Sequence, residues 1–167
     1  HFLYIAAAMN REGNDGMWDE EDGFYYDLLR LPDGTATRLK VRSMVGLLPL
    51  CAATVIDSAV IQRYPHFLER IGTFVRRNTE LAATIAPLDR KGVADRHLLA
   101  ILDERKLRRV LARMLDPEEF LSDYGIRSLS RRHRDQPYEI ELGGQTYRVE
   151  YEPAESSTGM FGGNSNW

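Results

Sequence analysis

The sequence has a single cysteine, Cys51, among its 167 residues. One cysteine excludes an internal disulfide, and its position in the apolar run 45–60 predicts a buried structural thiol rather than a nucleophile. Such sparse cysteine usage fits a reducing compartment, so we expect a cytoplasmic location. The chain also lacks a surplus of basic residues. Its formal net charge is −3, which argues against a nucleic-acid binder.

Several signatures of other protein classes are missing from the sequence. No apolar run is long enough to span a membrane, and no signal peptide is evident. There is no Gly-rich phosphate loop and no zinc-type spacing of Cys and His. The acids at 19–22 lack the alternating ligand positions of a calcium-binding loop. We therefore expect no cofactor, no metal, and no nucleic-acid or membrane partner.

The sequence does contain a concentration of acids and aromatic rings in residues 16–27. These twelve residues hold five carboxylates and four rings. Carboxylates are expensive to bury without partners. Rings and carboxylates together suit a carbohydrate cleft, because aromatic faces stack on sugar rings and carboxylates accept hydrogen bonds from sugar hydroxyls. The alternative is a solvated acidic loop that leads into a half-buried edge strand.

Hydrophobic periodicity predicts a mainly α-helical chain with two small β-hairpins. In the last helix, apolar residues from Leu107 to Leu115 are predicted to form the buried stripe, and the arginines between them a solvated outer face. Pro-Asp-Gly and Gly-Gly turns mark the two hairpins. Helices are predicted over 1–9, 44–60, 65–80 and 104–115, and hairpins over 23–41 and 138–151.

Four stretches resemble bacterial proteins of glycoside hydrolase family 63, the group that includes α-glucosidase-like and mannosylglycerate-hydrolase-like enzymes. Residues 18–27 resemble one segment of that family, and residues 39–50 resemble the segment that follows it. Residues 123–130 fit the same proteins. Residues 159–167, which end in Gly-Asn-Ser-Asn-Trp, look like the start of a family stretch. The order and spacing of these segments match across essentially the whole chain.

The resemblance implies an (α/α)6 toroid and inverting hydrolysis of α-linked glucosides or related sugars. Inversion needs two carboxyl groups, one to protonate the leaving oxygen and one to activate water. In the family, the stretches that carry them lie before the position matching His1 and after the position matching Trp167. The implied chain is thus a single partial domain over 1–167, a middle slice of a catalytic domain. No catalytic residue and no independent activity are expected in it.

The same reasoning gives nine candidate residues for binding a carbohydrate substrate. Trp18 is expected to stack on a sugar ring, or else to be a core residue. The nearby acids are expected to accept sugar hydroxyls or to fix Arg42, and an Arg42 ion pair that holds the loop is the favoured alternative. The candidates are Trp18, Asp19, Glu20, Asp22, Asp27, Arg42, Asn164, Asn166 and Trp167.

Three other functions stay open from the sequence. The first is a non-catalytic carbohydrate-binding domain of the same fold. The second is a helical interaction module that associates with itself through exposed helix faces. The third is a nucleic-acid binder that uses the arginines at 127–134, which the net charge disfavours. His133 lies among those arginines and is predicted to be a surface residue.

Overall fold

The computed structural model contains helices and short strands and describes residues 1–11, 13–83 and 90–152. Two to five residues make up each strand. The helices are Phe2–Asn10 (α1), Ser58–Arg63 (α2), Pro65–Arg77 (α3), Thr79–Ala82 (α4) and Glu104–Met114 (α5), with 3₁₀ segments at Gly13–Asp15, Met44–Cys51, Val93–Asp95 and Arg131–Arg134. The strands are Trp18–Asp19 (β1), Phe24–Tyr25 (β2), Asp27–Arg30 (β3), Ala36–Leu39 (β4), Ala53–Asp57 (β5), Arg96–Ala100 (β6), Leu121–Ser122 (β7), Gly125–Ile126 (β8), Tyr138–Leu142 (β9) and Gln145–Val149 (β10).

The strands pair two by two. In the described residues they form five separate antiparallel sheets, each made of consecutive strands. In β1–β2, Trp18 lies opposite Tyr25, and in β3–β4, Asp27 lies opposite Leu39. In β9–β10 the turn residues Gly143 and Gly144 both have positive φ, as a tight two-residue hairpin turn requires.

The predicted fold class, mainly α with two hairpins, is wrong. The described part is a mixed α/β structure with five two-stranded sheets, and it does not form part of a toroid of paired helices. The largest error is the helix predicted over 44–60, which is a 3₁₀ segment, a strand and a short helix. Pro49 inside the 3₁₀ segment has no N–H to donate, and β-branched residues at 54–56 favour the strand.

Helices α1, α3 and α5 and the hairpin β9–β10 are confirmed where the sequence predicts them. The hairpin predicted over 23–41 is confirmed only for β3 and β4, because Phe24 and Tyr25 pair with β1 instead. Asp103 caps α5 by accepting a hydrogen bond from the Lys106 N–H at 2.7 Å. Pro65 occupies the start of α3, where its missing N–H leaves no helical hydrogen bond unmade.

The core lies where α1, β1–β2, the Met44–Cys51 segment and α5 meet. Phe24 stacks on Phe120 with 5.7 Å between ring centroids, and both rings are fully buried. The buried cluster comprises Ala6, Trp18, Phe24, Tyr25, Tyr26, Leu47, Ile101, Leu102, Val110 and Phe120.

The predicted buried stripe of α5 is partly wrong. Val110 is buried as predicted, but Leu107 and Leu115 are exposed, and Lys106 is buried instead. The buried face is therefore rotated toward Lys106, which lies one turn before Val110. Its ammonium group reaches a polar partner, Asn10, at 2.8 Å.

The prediction that Cys51 is buried is also wrong, since its thiol is exposed. A 3₁₀ helix has three residues per turn, so every third side chain lies on the same side. Val45, Leu48 and Cys51 share that spacing and are all exposed, whereas Gly46 and Pro49 are buried. The apolar run thus forms a two-sided surface segment.

Candidate functional site

The acidic stretch folds as a tight turn between β1 and β2. Asp19 organises this turn by accepting hydrogen bonds from the N–H of Asp22 at its carboxylate and from the N–H of Gly23 at its carbonyl, each at 2.9 Å. Gly23 has a φ of 64°, and a Cβ there would lie 2.3 Å from the Arg109 side chain. The turn therefore requires glycine at this position, and it holds the acids close together.

Two acids of the turn are neutralised by basic residues from β4 and the segment after it. Asp19 pairs with Arg38 at 3.3 Å and with Lys40 at 3.0 Å. Lys40 also reaches Asp22 at 3.1 Å. Burial alone would raise the pKa of each carboxyl, but hydrogen bonds and nearby cations outweigh it, so the pKa of both Asp19 and Asp22 is lowered.

Arg42 is the centre of this arrangement, and its side chain is only 2% exposed. Its guanidinium donates to the Asp22 carboxylate at 3.1 Å, to the Tyr26 hydroxyl at 3.2 Å, and to the Glu119 carboxylate. Glu119 also accepts from Ser130 at 2.9 Å. We call Asp22, Tyr26, Arg42, Glu119 and Ser130 the Arg42 network.

His133 extends the Arg42 network to the backbone. Its Nε2 accepts the main-chain N–H of Arg42 at 2.8 Å, and its Nδ1 lies 3.0 Å from the Gln136 carbonyl. This geometry requires a neutral ring with the proton on Nδ1. Burial and the nearby guanidinium groups lower the pKa of His133. The predicted surface position is wrong, because the ring is 4% exposed.

Glu20 and Trp18 form a second group on the other side of the turn. Glu20 accepts from the Trp18 indole N–H at 2.8 Å and from Arg109 at 2.9 Å, and it pairs with Arg105. The hydrogen bonds from Arg105 and Trp18 lower the pKa of Glu20 to about 2.

The Trp18 ring is enclosed, with 5% exposure. One contact is the Tyr25 ring, whose centroid lies 4.9 Å away in an edge-to-face arrangement. Lys106 and Arg109 place their charged groups 5.5 Å and 5.7 Å from the indole centroid. The core alternative for Trp18 thus matches its position in the structure.

Asp27 differs from the paired acids. It is exposed at the start of β3, and no hydrogen bond or ion pair involves its carboxylate among the described residues. It borders a cleft of about 260 Å³ whose lining also includes Ser43 and is otherwise mainly apolar. The Ser43 hydroxyl makes no capping hydrogen bond. The cleft is lined by Met9, Met17, Tyr25, Tyr26, Asp27, Val41, Ser43, Val45, Gly46, Leu48, Pro49, Ala52 and Ile101.

The nine predicted site residues therefore separate into three groups. Five of them are brought together around the β1–β2 turn: Trp18, Asp19, Glu20, Asp22 and Arg42. Asp27 lies apart, on the cleft. Asn164, Asn166 and Trp167 lie outside the described residues.

Sequence reasoning missed Glu119, Ser130 and His133. Glu119 and His133 lie 77 and 91 positions from Arg42, so no local pattern connects them. Asn10 was missed as well. Its carboxamide oxygen accepts from the Tyr25 hydroxyl at 2.7 Å within the core. The one available signal for Asn10 was an amide at the end of an Ala-rich helix, which also suits a simple helix terminus.

The described residues lack the features of two other classes of site. No group of three or more His, Cys, Asp or Glu side chains is placed there to hold a metal ion. Within the same residues, no helix is both long and apolar enough to cross a membrane.

Comparison with known proteins finds a relative in yeast. The chain is 43% identical over 181 aligned positions to the uncharacterized protein YMR196W of Saccharomyces cerevisiae. The match covers the whole chain but about 16% of the yeast protein, so the chain spans a small part of the length of that curated relative. No family model matches the sequence, and no solved structure matches it.

These findings correct the resemblance inferred from sequence. They support a relationship to an uncharacterized yeast protein, and not the predicted membership in glycoside hydrolase family 63. The assignments that depend on that membership, a hydrolase, a glycosidase and an α/α toroid, are likewise wrong. Of the four quoted stretches, residues 159–167 lie outside the described residues, and residues 18–27 have local structural roles. In the latter, Asp19 and Gly23 build a turn and Asp22 binds Arg42.

Proposed function

We propose that this chain is a non-catalytic, carbohydrate-binding part of a larger protein. The sugar would bind in the cleft beside Asp27. The observation that carries this proposal is a pair of polar groups on an otherwise mainly apolar lining. They are the exposed carboxylate of Asp27 and the hydroxyl of Ser43, which makes no capping hydrogen bond to the helix that follows it. The short aligned share of the yeast relative supports the second part, that the chain belongs to a longer protein.

The chemistry of the cleft suits a sugar. A carboxylate accepts hydrogen bonds from sugar hydroxyls, and a serine hydroxyl both donates and accepts. Apolar side chains such as Met17 and Leu48 can contact the C–H faces of a sugar ring. The volume of about 260 Å³ lies just below the ~300–1,000 Å³ of sites for drug-sized ligands, which favours one or two rings.

Asp27 is the acid best placed to bind a sugar, because the other acids of the stretch that were predicted to do so are already paired. Asp19, Glu20 and Asp22 each accept hydrogen bonds from basic side chains. A sugar hydroxyl would have to displace charged donors, whose hydrogen bonds are stronger than neutral ones. Asp27 has no such competitor among the described residues.

The proposal is tested by NMR titration of the ¹⁵N-labelled chain with methyl α-glucoside and with maltose. We expect saturable shifts of main-chain amides around Asp27, Ser43 and Val45. Asp27→Ala should weaken binding about tenfold, which corresponds to ~1.4 kcal/mol. Glu21→Ala is the matched control, because Glu21 is an exposed acid of the same stretch that does not line the cleft.

Two outcomes would contradict the proposal. One is the absence of saturable shifts for both sugars. The other is equal weakening by Asp27→Ala and Glu21→Ala, which would show that general negative charge, and not the cleft, sets the affinity.

Self-association through exposed faces, the second function left open by the sequence, stays a prediction. The observation in its favour is the exposure of large apolar side chains: Tyr4, Ile5 and Tyr64 are 55%, 57% and 54% exposed. Exposed apolar side chains mark an interface where they form a contiguous patch. Sedimentation velocity over a range of concentrations tests it, and a monomer throughout would exclude it.

A further inference from the structure

A second pocket lies between the paired strands β5 and β6 and the start of α5. Its volume is about 490 Å³, larger than that of the Asp27 cleft, and the two share no lining residue. It is lined by Val55, Arg90, Lys91, Gly92, Val93, Arg96, His97, Leu98, Leu102, Glu104 and Leu107. We call it the β5–β6 pocket.

The polar lining of the β5–β6 pocket is predominantly basic. Arg90, Lys91 and Arg96 face a single carboxylate, Glu104. That carboxylate is already bound by Arg108 at 2.8 Å, and Lys91 is paired with Asp95 at 2.6 Å. Arg90 lies close enough to Glu104 to help lower the pKa of that carboxyl, after the larger effect of Arg108, and Arg96 adds a further positive charge to the pocket.

Both arginines have N–H groups that make no hydrogen bond to a described residue. Arg96 uses its Nε–H for the Val93 carbonyl at 3.1 Å, and its two terminal nitrogens make no hydrogen bond to the residues that the structure describes. Arg90 makes no hydrogen bond or ion pair to any described residue. A planar guanidinium presents parallel N–H groups that match the spacing of phosphate oxygens.

The apolar lining is exposed to solvent on the same pocket. Val55 is 54% exposed, Leu98 45% and Leu107 38%. Leaving these side chains in water beside a cationic site is unfavourable, and a ligand with an anionic group and an apolar body would cover them. A bare inorganic ion would not.

We propose that the β5–β6 pocket binds a small organic phosphate. Its phosphate group accepts hydrogen bonds from Arg90 and Arg96, and its apolar body lies against Val55, Leu98 and Leu107. The site is independent of the Asp27 cleft, so this proposal stands whether or not the chain binds sugars.

The test is an NMR titration of the chain with three probes: phenyl phosphate, inorganic phosphate and phenol. We expect phenyl phosphate to bind most tightly, because it alone supplies both the anion and the apolar body. Its saturable shifts should appear at Gly92, Val93 and Leu98 and not around Asp27. Equal affinity for phenyl phosphate and phenol, or shifts spread over the whole surface, would overturn the proposal.

Variants assign the binding to the two arginines. Arg90→Ala should weaken phenyl phosphate binding about tenfold, and Arg96→Lys should weaken it less, since it keeps the charge and loses the fork. Arg70→Ala is the control, because Arg70 is exposed on α3 and does not line the pocket. Unchanged binding by Arg90→Ala, or equal loss with Arg70→Ala, would refute the site. If Arg90→Ala fails to fold, the affinity of Arg96→Lys for phenyl phosphate still tests the site, because this variant retains a basic side chain.

Discussion

Arg42 links the acidic turn to the rest of the chain at the scale of single residues. Its guanidinium is buried and bonded to Asp22, Tyr26 and Glu119, which come from two distant parts of the sequence. A buried ion pair does little for stability compared with a well-packed apolar alternative, but the removal of one partner leaves an uncompensated buried charge. The network therefore fixes the turn in one arrangement.

Replacing Arg42 with methionine should be severely destabilising. The change removes a buried cation from both Glu119 and Asp22, so we expect the free energy of unfolding to fall by ~3–5 kcal/mol. Urea denaturation measures this loss. Arg148→Met is the control, since Arg148 forms exposed pairs with Glu139 and Glu150, and its loss should leave the midpoint near that of the parent. Equal midpoints for both variants would show that the Arg42 network is not structural.

His133 should make stability depend on pH below about 6.5. Its folded pKa is lowered, so the unfolded chain binds a proton at higher pH than the folded chain does. Stability is then lost as the pH falls through the usual histidine value of about 6.5 toward the lowered folded value. The groups that face the ring are the Arg42 N–H, the Gln136 carbonyl, Arg132 and Glu119.

Urea midpoints at pH 7.5 and pH 5.5 test this dependence. The free energy of unfolding should fall with pH at a rate that approaches ~1.4 kcal/mol per pH unit, and His133→Gln should remove most of the slope. The carboxyls of Asp19, Glu20 and Asp22 have lowered pKa values, so they lose their contributions only as the pH falls below about 4. An unchanged slope in His133→Gln would contradict the assignment.

Close packing of the Met44–Cys51 segment against β2 is the main feature at the scale of elements. Gly46 allows this approach: a Cβ at that position would lie 2.2 Å from the Phe24 ring and 2.3 Å from the Tyr25 carbonyl. The same segment carries Ser43 at its start and thereby forms one side of the Asp27 cleft.

Gly46→Ala should therefore be destabilising. Neither the Phe24 ring nor the backbone can move freely, so we expect a loss of ~1–3 kcal/mol, as for an overpacked core. Gly72→Ala is the matched control: its Cβ would meet only the flexible end of Arg76, at 3.3 Å, and it should raise helix stability by up to ~1 kcal/mol. Thermal unfolding of both variants gives the comparison. A stabilising Gly46→Ala would show that the segment does not pack as described.

Prediction from sequence succeeded for elements whose signals are local. Pro65 and the Gly143–Gly144 turn mark their elements within a few residues. It failed for residues 44–60, because the uninterrupted apolar run over 44–53 gives no period to distinguish a helix from a 3₁₀ segment followed by a strand. Burial within α5 was also misplaced, because the partner of Lys106 is Asn10, 96 positions away.

The candidate site shows the same division. The ion pair between Arg42 and the acidic turn was foreseen as an alternative, since opposite charges in neighbouring segments favour it. Glu119, Ser130 and His133 were not, because only the folded chain brings them to Arg42. The sequence alone could not show that Asp22 is paired and Asp27 is not, because both are aspartates of the same short stretch.

At the scale of the whole molecule, the described chain combines one core with peripheral hairpins. The core joins α1, β1–β2 and α5, whereas β9 and β10 contain no fully buried residue. Hydrogen exchange should follow this division, because protection increases with buried contacts. We expect the slowest amides in Phe24–Tyr25 and Glu104–Met114 and the fastest strand amides in β9–β10. Uniform protection would contradict a single core.

The central claim is that the acids of residues 18–27 have two roles, with Asp22 holding the fold and Asp27 left for a ligand. The most direct test is the free energy of urea unfolding for Asp22→Asn and Asp27→Asn, measured side by side. Asp22→Asn should lose ~1–3 kcal/mol, because it weakens charged hydrogen bonds to Arg42 and Lys40, and Asp27→Asn should lie within ~0.5 kcal/mol of the parent. A loss in Asp27→Asn as large as that in Asp22→Asn would contradict the account.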